Sequence, residues 1–167
     1  MLKRRQFLIA GSLLGLSPYV EAKGIRKFDK RLSALKNTIA SVQAHMFPRE
    51  SKLPSAEEMH VVEFVFETIT HASYDKDIRL FVIEGAEELI KREKNSFISM
   101  SHEEKEQALR AYEKTNYGSS WLSRIMTLTM EGLFSDPIYG ANKNEIGWKS
   151  IQAYGGQPRP TVKYLDI

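Results

Sequence analysis

The chain has 167 residues, a length that suits one domain of the usual size better than two. Hydrophobic residues make up 42% and charged residues 27%, enough apolar material for a packed core and too much for wholesale disorder. There is no cysteine, which excludes disulfides, thiolate metal sites, iron–sulfur ligation, covalent haem attachment and cysteine nucleophiles. The formal charge of +3 would suit an anionic partner, but its meaning depends on where the charges sit.

The first segment reads as an export signal over residues 1–22. Lys3, Arg4 and Arg5 form a basic start, and the ten residues from Phe7 to Leu16 are apolar but loosened by Gly11, Ser12 and Gly15. Val20 and Ala22 then offer small residues at the −3 and −1 positions of a cleavage site. Paired arginines followed by Gln6, Phe7 and Leu8 resemble the twin-arginine motif, whose translocase exports folded proteins. The apolar stretch is much shorter than the roughly 20 residues of a membrane span. Residues 1–22 carry three of the 24 basic and one of the 21 acidic side chains, so residues 23–167 have 21 and 20, a net of +1. A nucleic-acid partner loses its electrostatic support.

The remainder predicts an all-α domain of about five helices. Apolar residues at Phe28, Leu32, Leu35, Ile39, Val42 and Met46 alternate in steps of four and three, the stripe of an amphipathic helix that stops at Pro48. Ser55-Ala56-Glu57-Glu58 is a capping box, predicting a second helix from Ser55 with Met59, Val62, Phe66 and Ile69 on its buried face and Val61 and Val65 beside them. A third helix over about 75–94 turns Ile78, Phe81, Val82, Ala86 and Leu89 inward, with Glu87–Lys91 and Glu88–Arg92 outside as i,i+4 pairs. Ser101-His102-Glu103-Glu104 opens a short fourth helix through Ala108, Leu109 and Tyr112. The fifth carries Trp121, Leu122, Ile125, Leu128 and Met130 to about Phe134. Residues 136–167 read as irregular, rich in Gly and Pro yet holding Tyr139, Trp148, Tyr154 and Tyr164. Composition favours packing of these aromatics over a partner-facing role.

No catalytic or metal-binding constellation stands out. His45, His60, His71 and His102 lack ligand spacing and read as surface or satisfied core histidines. There is no GxGxxG, Walker loop or GxSxG. Asp136, Asn142, Asn144 and Glu145 do not follow the EF-hand spacing, and turn formation explains them more simply. Glu131, Asp136 and Glu145 could surround a polar pocket in a stand-alone periplasmic enzyme or small-ligand binder, but such triples occur in any helical protein.

The informative string runs from Thr129 to Lys149: Thr129-Met130-Glu131-Gly132-Leu133-Phe134-Ser135-Asp136-Pro137-Ile138-Tyr139-Gly140-Ala141-Asn142-Lys143-Asn144-Glu145-Ile146-Gly147-Trp148-Lys149. It resembles the signature of the gluconate 2-dehydrogenase subunit 3 family, T-x-E-G-x-F-S-D-P-x-Y-G-G-N-x-x-x-x-G-W-K. Phe47-Pro48 at a helix end, a capped helix near Ser55 and the tail around Tyr154-Gly155-Gly156 agree with it. The resemblance implies the small, non-catalytic subunit of a membrane-associated sugar or sugar-acid dehydrogenase complex. In such complexes a large subunit binds FAD and oxidises gluconate, glucose, fructose, sorbitol or a glycoside, and a cytochrome c subunit, where present, carries haem c. This chain is then expected to hold no cofactor or metal, to mature and escort the flavoprotein through twin-arginine export, and to reside in the periplasm, peripheral to the inner membrane. Arg4, Arg5, Phe7 and Leu8 would serve the translocase. Phe134, Asp136, Pro137, Tyr139, Gly140, Asn142, Gly147 and Trp148 would face the partner. The chain departs from the pattern at Ala141, where a second Gly is usual, and at Asn144-Glu145, where Asp-Gly is common, which predicts shifted positions of positive φ.

Overall fold

The computed structural model describes residues 18–163, with side chains from Lys30 onward. Arg4, Arg5, Phe7, Leu8 and Tyr164 lie outside them. The described residues form six α-helices and no strand: α1 (Pro18–Met46), α2 (Val61–Thr70), α3 (Lys76–Arg92), α4 (His102–Glu113), α5 (Asn116–Leu133) and α6 (Ile146–Ser150). Single 3₁₀ turns occupy Phe97–Ser99, Pro137–Tyr139 and Lys143–Glu145. The segment predicted to be irregular therefore contains two of these turns and a short α-helix. No helix among the described residues is long and apolar enough to cross a membrane.

The chain divides at Ser33/Ala34 into two units. The described part of the first is the start of α1; Leu32 there is buried, and the side chain of Phe28 lies outside the described residues. Everything else belongs to the second unit. Its axis is α5, which packs against α2, α3 and α4. The α5 stripe of Trp121, Leu122, Ile125 and Leu128 is buried, as predicted, but Met130 is exposed and the inward position beside it is Thr129. The polar residue is tolerated because its hydroxyl donates to the Ile125 carbonyl at 2.7 Å and accepts from Gln43 Nε2 at 3.0 Å. That bond ties the end of α1 to α5, while Leu35, Ile39 and Val42 bury the apolar stripe of the same helix; Met46, predicted to end that stripe, is half-buried, and Phe47 just past the helix is buried in its stead.

The start of α2 differs from the sequence reading. Glu58 N–H does reach Ser55 Oγ, at 3.5 Å, and Met59 N–H bonds the Ser55 carbonyl at 3.1 Å, so the predicted cap builds one turn. His60 then takes a left-handed conformation (φ 55°), and the continuous helix begins at Val61. This break rotates the helix by about one residue. Val61, Val65 and Ile69 are fully buried, and Val62 and Phe66 are only half-buried. The i, i+4, i+8 spacing of three β-branched residues makes the narrower, better-filled seam.

The caps of α3 and α4 are local and strong. Asp75 accepts from the N–H groups of Asp77 and Ile78, both at 2.9 Å. Ser101 and Glu104 form the predicted reciprocal capping box. Arg79, assigned to no face by periodicity, is buried, and its guanidinium donates to the carbonyls of Ile69, His71 and Tyr74. It satisfies the Ile69 carbonyl at the C-terminal end of α2 and ties down the turn that follows.

Candidate functional site

The signature string is a loop folded onto itself at the C-terminal end of α5. Asp136 opens it: its carboxylate accepts from Ile138 N–H at 3.0 Å, which starts the Pro137–Tyr139 turn, and Gly140 closes that turn at φ 88°. Asn142 is the keystone. It is fully buried in a left-handed conformation (φ 49°), donates through Nδ2 to the Ser135 carbonyl at 2.8 Å and accepts from Gly147 N–H at 2.8 Å. One side chain thus closes both sides of the loop. Gly147 is required by close approach, since a Cβ there would lie 1.9 Å from the Leu133 carbonyl oxygen.

Of the departures from the family pattern, Asn144-Glu145 takes a left-handed backbone and Ala141 does not. Ala141 is buried and keeps an ordinary φ, the positive angle being supplied by Gly140 before it. Asn144 (φ 54°) and Glu145 (φ 62°) are both left-handed. Asn tolerates that region, whereas Glu there carries steric strain.

Trp148 sits at the centre of this loop. Its residue exposure is 9%, and its indole N–H donates to the Phe134 carbonyl at 2.7 Å. Arg159 lies over the ring, 4.3 Å from its centroid, and pairs with Asp136 at 3.3 Å and Glu145 at 2.9 Å. Of the residues expected to face a partner, Asn142, Gly147 and Trp148 are therefore buried within the chain. Phe134, Asp136, Pro137 and Tyr139 are half-buried, and Gly140 is exposed. The buried three shape the surface from beneath. Asp136 and Glu145 do come together, but around Arg159 rather than around a pocket for substrate, and Glu131 is exposed on α5. Among the aromatics of the C-terminal segment, Tyr154 is 83% exposed.

A second polar cluster joins α1 and α4. His45, its side chain 6% exposed, meets Glu106 at 2.8 Å through Nε2, and its ring stacks on His102 with centroids 4.4 Å apart. Glu106 also accepts from Arg110, which in turn holds Glu113. The His45 contact and then the Arg110 guanidinium keep the Glu106 carboxyl below its usual pKa range. The pair borders an open cleft of about 290 Å³ lined on its other side by Ser119, Leu122, Ser123 and Met126. His45 and Glu106 are 61 residues apart, so no sequence spacing announces them. His60 Nε2 meets Lys143 Nζ at 2.6 Å, 83 residues away, and His71 Nδ1 meets Ser73 Oγ at 2.7 Å, so these rings too have partners within the chain. No group of three or more His, Asp or Glu able to hold a metal occurs among the described residues.

The family model of gluconate 2-dehydrogenase subunit 3 matches residues 34–156, from within α1 to the Gly-rich tail. No curated protein and no solved structure matches the chain. The matched span contains the whole of α2 to α6 and every hydrogen bond that Asn142 and Trp148 make to close the signature loop. On that match, the chain belongs to the gluconate 2-dehydrogenase subunit 3 family.

Proposed function

We propose that this protein is a non-catalytic accessory subunit that binds an FAD-dependent sugar or sugar-acid dehydrogenase, assists its maturation and escorts it through twin-arginine export. The observation that carries the reading is how the signature string uses its polar groups. Asp136 and Asn142 bond the loop's own backbone, and Trp148 bonds Phe134, so the string builds a shaped surface rather than a reacting centre. In and just after it, Met130, Ile146, Ile151 and Tyr154 are apolar or aromatic side chains at least 40% exposed, the kind of surface that interface cores use. FAD belongs to the large subunit, and haem c to a cytochrome subunit where one completes the complex. The chain has no cysteine for covalent haem or an iron–sulfur centre. The complex works in the periplasm, peripheral to the inner membrane.

Co-expression of the full chain with the large flavoprotein tests this. A stable complex is expected in the periplasmic fraction, and changing Arg4 and Arg5 together to Lys should leave both chains in the cytoplasm. Normal export of the flavoprotein beside the doubly changed chain would remove the escort role, and failure of the two chains to copurify would remove the subunit role.

A further inference from the structure

The guanidinium of Arg159 occupies a site with three walls. The Trp148 ring lies 4.3 Å beneath it, the Glu145 carboxylate accepts from Nη2 at 2.9 Å, and the Asp136 carboxylate pairs with Nη1 at 3.3 Å. The third wall is backbone: a Cβ on Gly155 would lie 2.0 Å from Arg159 Nη1 and 2.2 Å from Trp148 Cη2, so the chain passes hard against both. A flat cation between an indole face and two carboxylates matches guanidinium chemistry far better than an ammonium, which cannot stack and fork at once.

Two of these walls are held without help from the segment that supplies Arg159. Trp148 is fixed by its bond to the Phe134 carbonyl, Asp136 by Ile138 N–H, and the loop between them by Asn142. Glu145 keeps its side chain at the site despite a left-handed backbone that favours glycine. The walls formed by Asp136, Glu145, Trp148 and Gly155 also lie inside the family match, whereas Arg159 lies beyond its end at 156.

The segment that delivers Arg159 is held lightly elsewhere. Tyr154, Pro158, Pro160 and Val162 are exposed, and among the described residues its other side-chain tether is the partly exposed pair of Lys163 with Glu67. Ion pairs of that kind contribute little. A cleft whose walls are held by other parts of the chain, filled by one partly buried side chain of a segment with few other tethers, is an exchangeable arrangement.

We propose that Trp148, Asp136 and Glu145 form an arginine-binding cleft, filled in the closed chain by Arg159 of the C-terminal segment, which acts as a displaceable strap, and open in exchange to an arginine side chain of another polypeptide. The inference goes beyond the escort role and does not depend on it.

The test uses the full chain labelled with ¹⁵N, following the Trp148 indole N–H resonance, assigned with Trp148→Phe. The probe is N-acetyl-arginine-methylamide, with the lysine analogue as control. Two variants open the cleft by different means: Arg159→Ala removes the plug, and Gly155→Ala keeps every charged side chain in the protein but crowds Arg159 and the edge of the Trp148 ring, which pushes the strap away. Both should show faster amide hydrogen exchange over 151–163 and a saturable shift of the Trp148 resonance with the arginine probe. The wild type should respond several-fold more weakly, and the lysine analogue should have little effect. Should Arg159→Ala prove unfolded by circular dichroism, Gly155→Ala alone carries the test. An unshifted Trp148 resonance in the folded variants, or equal responses of variant and wild type, would overturn the cleft and the strap respectively.

Discussion

Gly85 in α3 and Trp121 in α5 are in such close contact that a Cβ on Gly85 would lie 2.0 Å from Cδ1 of the indole. The indole N–H donates to the Val82 carbonyl at 3.0 Å, one turn earlier on the same helix, and Trp121 is fully buried. The missing side chain is thus the slot into which the central helix inserts its largest residue. Gly85→Ala should cost about 3 kcal/mol, at the upper end for overpacking, because the ring is fixed by its hydrogen bond and cannot retreat. Urea denaturation gives the answer; a loss below about 0.5 kcal/mol, the range of ordinary surface changes, would show that the slot can widen.

The same glycine links α3 to α4. Tyr112 is buried, its hydroxyl donates to the Gly85 carbonyl at 3.1 Å and its ring lies 5.8 Å from Trp121. Burial pushes the phenol well above the ordinary tyrosine range, with Tyr117 and Glu88 adding to the shift and Arg92, placed over the ring, opposing it. The native state therefore keeps a proton that the unfolded chain releases near pH 10. The stability linked to Tyr112 is intact below that pH and falls as pH rises above it, by at most about 1.4 kcal/mol per pH unit. Tyr112→Phe should be less stable by about 1 kcal/mol at neutral pH, through loss of the hydrogen bond, and the difference should close above about pH 10. Denaturation curves of both proteins between pH 7 and 11 check this; a constant difference would mean that the phenol ionises freely in the folded chain.

Arg79 makes a third case in which a polar group is structural. Its three carbonyl acceptors lie at the end of α2 and in the turn to α3. Arg79→Met keeps much of the side-chain volume but strands the Ile69 and Tyr74 carbonyls and leaves that of His71 with only the Tyr74 N–H. The expected cost is about 2–3 kcal/mol, and faster hydrogen exchange should appear first at residues 71–75. Unchanged exchange there would mean that water replaces the guanidinium without loss.

The helices and caps were legible where the determining contacts are local. Ser101 with Glu104, the stripe of α5 and the stop at Phe47-Pro48 all rest on spacings of a few residues. The start of α2 was not, because Ser55 to Glu58 carries a true capping signal that the chain uses for a single turn. Only the burial of Val61, Val65 and Ile69 against α5 decides where the continuous helix begins. Left-handed His60 is the cost of that choice, about 1–2 kcal/mol on its own. Arg79, the His45–Glu106 pair and the grip of Arg159 on Trp148 depend on partners five to 61 residues away, so a charged residue could be read only as a solvated face. The signature string was recognisable as a string, but its spacing does not reveal that Asn142 is the buried keystone and that Trp148 points inward.

That inward placement determines the effect of changing Trp148. The indole is 9% exposed, holds the Phe134 carbonyl at 2.7 Å and supports Arg159 on its face. Trp148→Ala removes a large buried ring, the hydrogen bond and the stacked cation together, so a loss of about 3–5 kcal/mol is expected in the chain alone. Trp148→Phe keeps part of the ring packing but leaves the Phe134 carbonyl unpaired, and should lose about 1–3 kcal/mol. The two variants separate a core role from a partner-facing one: a surface anchor would weaken a complex while leaving the free chain as stable as before. Thermal and urea denaturation of the isolated protein decide, and a Trp148→Ala chain with unchanged midpoints would place the indole at the surface after all.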